Sequence, residues 1–139
     1  MDGRFVIGGA MQIIGLYLAY VGVSVGLVGL ATWVYALVTP YKEIALIREG
    51  NAAAAYSLGG MVIGFAAAVA SAAAHSVSLV DMALWSGVAL LAQVFVYWVV
   101  SFFLQGFQAG MEDGKVSYGI ALGAASIAMG VLNAGALTY

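Results

Sequence analysis

GNAAAAYSLGGMVIGFAAAVASAAAHSVSLV, residues 50–80, carries no acidic or basic side chain. A helix needs about 20 mostly apolar residues to cross a hydrocarbon core of about 30 Å, and this stretch exceeds that length. Three others share the property: Phe5–Tyr41, Met82–Met111 and Val116–Tyr139. Inside lipid every backbone N–H and C=O must be satisfied within its own segment, so each stretch is expected to be helical. The sequence reads as an all-α membrane protein with four transmembrane helices, at about 11–38, 52–74, 82–106 and 116–137.

Four crossings use nearly all of the 139 residues, so residues 1–139 read as a single integral membrane domain. Charged residues make up 7% of the chain and hydrophobic ones 65%, against roughly 25% charged in a soluble domain. A net charge of −2 with no basic cluster gives no footprint for nucleic acid. With no cysteine, disulfides, thiolate metal sites and thiol nucleophiles are excluded. Arg4 ahead of an apolar run resembles a signal peptide. A signal core is only about 7–15 residues, however, and no small-residue cleavage site followed by polar sequence appears. The first helix is therefore expected to be retained, with Phe5–Met11 as a tilted or interfacial lead-in.

Short connections make consecutive helices antiparallel neighbours. Lys42 and Arg48 in the first loop and Lys115 in the third lie on one side, and Arg4, His75 and Asp81 on the other. The positive-inside rule then places loops one and three in the cytoplasm and both termini outside.

Aligning Gly50 with Gly114 (114 − 50 = 64) pairs Glu49 with Asp113, Leu58 with Leu122, Gly59 with Gly123, Ile63 with Ile127, Ala70 with Ala134 and Ala72 with Ala136. Upstream the register needs a gap, because Trp33 faces Trp98. The pattern predicts two tandem helical hairpins, 11–76 and 79–139. They would form a parallel internal repeat about an axis along the membrane normal.

Gly22 and Gly26, Gly60 and Gly64, and Gly119 and Gly123 each form a GxxxG pair, and Ala68 and Ala72 extend the second ridge. Such faces let helix backbones approach closely in lipid. They serve either packing within one bundle or assembly into a homo-oligomer. The third helix carries Phe95, Tyr97, Trp98, Phe102, Phe103 and Phe107, and those near its cytoplasmic end suit an interfacial aromatic belt.

The densest polar segment runs from Thr39 to Asn51. Thr39 reads as an N-cap with Pro40 at the first helical position, Gly50 as a helix end and Asn51 as the cap of the next helix. Ile44, Leu46 and Ile47 would dip into the interface while Lys42, Glu43, Arg48 and Glu49 stay in water. The segment is either a well-built turn or a docking surface made of Thr39, Pro40, Glu43, Arg48, Glu49, Gly50 and Asn51. Glu112 and Asp113 join it from the third loop.

No catalytic, metal or cofactor residues are expected, and the chain is read as a non-enzyme. Adjacent carboxylates at Glu112 and Asp113 seldom converge on one reacting atom, and no histidine lies on their side. An active site using Glu43, Glu49, Glu112 and Asp113 around a cation is the weakest reading. His75 reads as an interfacial residue, and Asp81 suits a helix N-terminus. No ionisable residue is expected near mid-membrane, the usual mark of proton relays. The neutral polar groups there are Ser24, Ser57, Gln93, Ser126 and Asn133. Gln93 and Asn133 either hydrogen-bond between helices or line a path in an oligomer.

Thr39-Pro40-x-x-Glu43-x-x-Leu46-Ile47-Arg48-Glu49-Gly50-Asn51-x-Ala53-Ala54, followed by Leu58-x-Gly60 and Gly64, resembles the YjfL family of bacterial membrane proteins, a domain of unknown function numbered 350. Glu112-Asp113-Gly114 and Gly130-Val131-Leu132-Asn133-Ala134 extend the likeness over nearly the whole chain. The resemblance implies four helices in two related hairpins in a bacterial inner membrane. Its gene neighbours, phage-shock-protein-A-like stress proteins and polyamine-synthase-like proteins, imply an envelope-maintenance role by association. Two functions follow as expectations. One is a non-enzymatic envelope or membrane-stress component in the lipid bilayer that oligomerises or docks a peripheral cytoplasmic stress protein. The alternative is a small oligomeric channel or permease for an ion or small solute.

Overall fold

The computed structural model describes residues 3–137. These residues form six helices in order: α1 Gly3–Val38, α2 Glu43–Arg48, α3 Ala52–His75, α4 Leu79–Phe103, α5 Phe107–Glu112 and α6 Val116–Ala136. Four of them, α1, α3, α4 and α6, are long and apolar enough to cross a membrane. The other two are six-residue elbows, α2 and α5. Among the described residues there is no strand.

The bundle is built around α3, which packs against α1, α4 and α6. Ala53, Ser57, Gly60, Met61, Gly64, Phe65, Ala68 and Ala72 recur at helical spacing and are all buried. The closest crossing is with α6, and glycine makes it possible. A Cβ on Gly60 would strike the Gly123 backbone, and one on Gly119 would strike Ala53. One on Gly123 would meet the Tyr56 carbonyl, and one on Gly130 would meet Gly64. Lipid tails are as apolar as the helices themselves, so this backbone contact stands in for the missing hydrophobic drive. Two cross-helix hydrogen bonds brace α6, one from α3 and one from α4. Ser71 Oγ donates to the Ala134 carbonyl at 2.8 Å, and Gln93 Nε2 donates from α4 to the Ser126 carbonyl at 3.0 Å. Met61, Phe65, Met82 and Leu122 fill the interior.

The helix bounds differ from expectation in three places. Helix α1 begins at Gly3, so residues 5–11 continue a single 36-residue helix, about 54 Å long at 1.5 Å per residue. Helix α4 begins at Leu79, three residues before the predicted start. Ser78 accepts from the Asp81 amide at 3.1 Å while Asp81 Oδ2 accepts from the Val77 amide at 3.2 Å. The third span, expected to reach about 106, ends three residues earlier. It stops at Phe103, turns through Gly106 at φ +64° and restarts as α5. Only a residue without Cβ adopts that left-handed backbone at little cost.

The small-residue pairs divide into two kinds. Gly60, Gly64, Gly119 and Gly123 sit within the α3–α6 crossing, whereas a Cβ added to Gly22 or Gly26 would meet nothing within 4 Å. Packing inside one bundle does not use the Gly22/Gly26 face, because α1 turns its other side inward, burying Ala31 and Tyr35. The aromatic residues of the third stretch divide likewise. Phe95, Trp98, Phe102 and Phe103 face outward, while Tyr97 and Phe107 are buried.

Gly130→Ala drives a methyl group into the Gly64 backbone and is expected to destabilise the bundle by about 1–3 kcal/mol. Gly29→Ala, with open space around it, leaves stability unchanged or slightly raised. Denaturant titration of both variants in mixed micelles, followed by circular dichroism, checks the contrast.

Candidate functional site

Both elbows lie at the same end of the bundle and end alike. In the first, the Gly50 amide donates to the Ile47 carbonyl at 3.0 Å and the Asn51 amide to the Leu46 carbonyl at 2.9 Å. In the second, the Gly114 amide donates to Met111 at 3.1 Å and the Lys115 amide to Gly110 at 2.8 Å. Each pair is a Schellman closure, and each passes through a glycine at positive φ, +87° at Gly50 and +78° at Gly114. Gly50 thus ends the elbow helix as the sequence predicted.

Asn51 joins the two elbows. Its Oδ1 accepts from the Ala54 amide at 3.0 Å, capping α3, and its Nδ2 donates to the Met111 carbonyl at 2.7 Å. The cap is the expected one. The second bond is a tertiary contact across 60 positions that no local pattern encodes. Lys115 opens α6 without a side-chain cap and instead holds Nζ 4.2 Å from the centre of the Tyr118 ring.

Arg48, Glu49, Glu112 and Asp113 are exposed around this junction. Glu49, Gly50, Asn51, Glu112, Asp113 and Gly114 line an open cleft of about 440 Å³. A neighbouring cleft of about 420 Å³, lined by Pro40, Tyr41, Lys42 and Leu46, shares Glu49 and Glu112 with it. Among the described residues no group of three or more His, Asp or Glu side chains is arranged to hold a metal ion.

Two residues assigned to that exposed surface are elsewhere. Thr39 is buried, and it is not an N-cap. Its Oγ1 donates to the Ala36 carbonyl at 3.2 Å, while α2 starts only at Glu43 after an uncapped Lys42. The residue before a proline is pushed toward extended backbone, and the chain needs 39–42 to turn before helix resumes. Glu43 does not stay in water. It is 1% exposed, and among the described residues neither carboxylate oxygen has a well-formed hydrogen bond, the Thr39 hydroxyl acting on it only weakly. Glu43, Leu46 and Ile47 share one face of α2 at i, i+3 and i+4, so the elbow turns its acid inward with its apolar residues. That spacing was readable in the sequence.

Around Glu43 lies an aromatic cluster drawn from five segments. Tyr35 of α1 meets Tyr97 of α4 edge-on at 6.1 Å. Tyr41 reaches Tyr97 at 6.5 Å and Phe107 of α5 at 6.2 Å, and Phe107 stacks on Tyr118 at 5.8 Å. Burial pushes the Glu43 carboxyl from its ordinary 4.5 up to about 7, with the Thr39 hydroxyl pulling the other way. Burial also raises the Tyr41 hydroxyl well above its ordinary value, and Glu43 adds to the effect. Among the described residues the buried Tyr35 hydroxyl has no hydrogen-bond partner, and the Ser57 hydroxyl beside Tyr41 works against the rise there.

Deeper in the bundle Gln93 bridges α4 and α6 through Ser126, as expected, with its Oε1 left without a donor. The Asn133 Nδ2 is buried with no acceptor among the described residues, so the expected interhelical bond from that amide is not made. His75 is exposed, with Nδ1 2.9 Å from the Ser71 carbonyl.

The family described as a Domain of Unknown Function (DUF350) matches residues 9–137, a span that includes both elbows and the α3–α6 crossing. The chain belongs to the DUF350 family. Two relatives from Escherichia coli, from strain K12 and from O157:H7, are each named UPF0719 inner membrane protein YjfL. Each is 30% identical to this chain over 121 residues, covering 87% of the chain and 92% of the relative. No solved structure matches it significantly. As a DUF350 protein the chain shares its membrane class with these relatives.

Asn51→Ala removes both a helix cap and the bridge between the elbows, and is expected to cost about 2 kcal/mol in total. Asn51→Asp keeps the cap acceptor and loses the donor to Met111, so its loss is about half as large. The ordering of wild type, Asp and Ala in denaturant midpoint checks both roles of the residue.

Proposed function

We propose that this DUF350 protein is a non-enzymatic scaffold of a bacterial inner membrane that self-associates through α1 and offers its paired elbows to a peripheral partner. The observation that carries the proposal is the unused glycine face of α1. Gly8, Gly15, Gly22 and Gly29 recur every seven residues, with Gly26 beside them, and a Cβ on any of the five would meet nothing within 4 Å. At 3.6 residues per turn all five fall on one side of the helix, and the buried Ala31 and Tyr35 fall on the other. From Gly3 to Leu18 nearly every residue is exposed. A seven-residue repeat of small residues keeps a continuous face toward a second helix in a left-handed crossing. The glycines of α3 and α6, by contrast, are consumed inside the bundle.

The elbows supply the second half of the proposal. Both acidic clefts share Glu49 and Glu112, which suits a basic segment of a partner. On the positive-inside reading they face the cytoplasm, with both termini outside. We further infer that the chain is two tandem hairpins. In support, α2 and α5, and α3 and α6, start at positions that follow the same register as Gly50 and Gly114. The helix faces do not follow it. Gly59 meets open space whereas its counterpart Gly123 lies against Tyr56, so the hairpins have diverged in how they pack. The channel reading needs a path between copies, because Met61, Phe65, Met82 and Leu122 occupy the interior of one bundle.

Mass photometry of the protein in lipid nanodiscs tests the assembly. The wild type is expected as a dimer or larger, and Gly22→Leu with Gly26→Leu as a folded monomer. A wild type that is monomeric at every lipid ratio overturns the proposal. Reversing Arg48 and Glu49 together is expected to abolish partner recovery after crosslinking in cells while leaving assembly intact.

A further inference from the structure

Glu43 has no part in the scaffold proposal, and its placement is unusual. It opens a six-residue helix at the rim of the bundle, yet it is buried, and among the described residues neither oxygen has a well-formed hydrogen bond, the Thr39 hydroxyl offering only a weak one. A carboxylate in that state is costly, while a neutral carboxylic acid is far less so. The groups that face it are known from every segment packed there. Tyr35 comes from α1, Thr39 and Tyr41 from the connection and Tyr97 from α4, with Ser57 of α3 acting on Tyr41. Glu43 lies within electrostatic reach of Tyr35, Tyr41 and Tyr97. From α5 come the buried apolar Phe107 and Met111, and the exposed Glu112 carboxylate borders the cleft along α2 with Lys42 and Glu49. Lys42 and Arg48 point to solvent, and neither is among the causes that set the acid's proton affinity.

Among the described residues no hydrogen bond ties α2 itself to another helix. Lys42 provides no side-chain cap at its start, Pro40 and Gly50 flank it, and its hydrogen bonds are few and local. Glu43 and Tyr41 are its buried anchors, and Tyr41 is the ring that closes over Tyr97 and Phe107.

We propose that Glu43 is a proton-operated latch: protonated, it holds α2 against the bundle, and ionised, it releases the elbow to water and uncovers the Tyr97–Phe107 aromatic surface. In the step the Glu43 O–H bond breaks, the proton passes to bulk water, and the carboxylate is hydrated as the elbow lifts. The sign follows from the raised proton affinity of the docked state. Docking is strongest below the ordinary value of 4.5, weakens as pH rises toward about 7 and is constant above it. Over that window the docking equilibrium is expected to fall on the order of 10²-fold.

Hydrogen–deuterium exchange of the Leu46, Glu49 and Asn51 amides, in nanodiscs between pH 4.5 and 8, reads the latch after correction for intrinsic exchange. The wild type is expected to lose about 10²-fold protection across the window, and Glu43→Gln, which stays neutral, to keep protection throughout. Identical pH profiles for the two proteins overturn the proposal. Should Glu43→Gln fail to fold, the ¹³C resonance of the Glu43 carboxyl decides in the wild type alone. Titration near pH 7 in step with the loss of protection supports the latch. Titration near 4.5, or near 7 with the elbow still protected, overturns it. Assembly through α1 is read separately by particle mass, so the failure of either proposal leaves the other standing.

Discussion

The backbone-to-backbone crossing of α3 and α6 is the constraint on which the rest of the molecule depends. Gly60, Gly64, Gly119, Gly123 and Gly130 remove the side chains that would hold the helices apart. In lipid there is no gain from hiding apolar surface between helices, so association rests on dispersion at close range and on the bonds such proximity allows. The short reach of Ser71 Oγ to Ala134 and of Gln93 Nε2 to Ser126 depends on that proximity. The crossing also brings the N-termini of α3 and α6 together, which lets Asn51 span from one elbow to the other.

From that junction the polar end of the bundle follows. Each elbow turns its few large side chains inward, Tyr41, Glu43 and Leu46 from the first and Phe107 and Met111 from the second. The aromatic cluster they form with Tyr35, Tyr97 and Tyr118 seals the bundle where lipid gives way to water. Sealing it with a carboxyl group inside is a conflict between packing and solvation, relieved when the acid is neutral. A device that responds to protons and a surface that presents charge therefore occupy the same few residues of chain. Helix α1 stands apart from this economy. Only its C-terminal half packs on the bundle, and its glycine face is turned to the surroundings.

Much of this was legible in the sequence, because the features concerned are local. Charge-free length fixes a membrane helix whatever its neighbours do, so four spans were readable and their C-terminal bounds at α1 and α3 fell within a residue or two. Gly50 and Asn51 were readable as helix end and helix cap, since each acts on atoms within four positions of itself. The family resemblance rested on the same block. The end of the third span was placed within three residues, but the restart as α5 was harder to see, because an uncharged run hides a second, short helix.

By itself, then, the sequence determined the membrane class, the four spans, the polar end and the chemistry available there, because hydropathy and capping are short-range. The tertiary structure alone decided which glycines are spent inside the bundle and which remain outside, since GxxxG reads the same in α1 and α3. It alone decided that Glu43 faces aromatic rings and that Asn51 bridges two elbows. Those outcomes depend on what arrives from elsewhere in the chain, and backbone proximity between distant helices leaves no local signature.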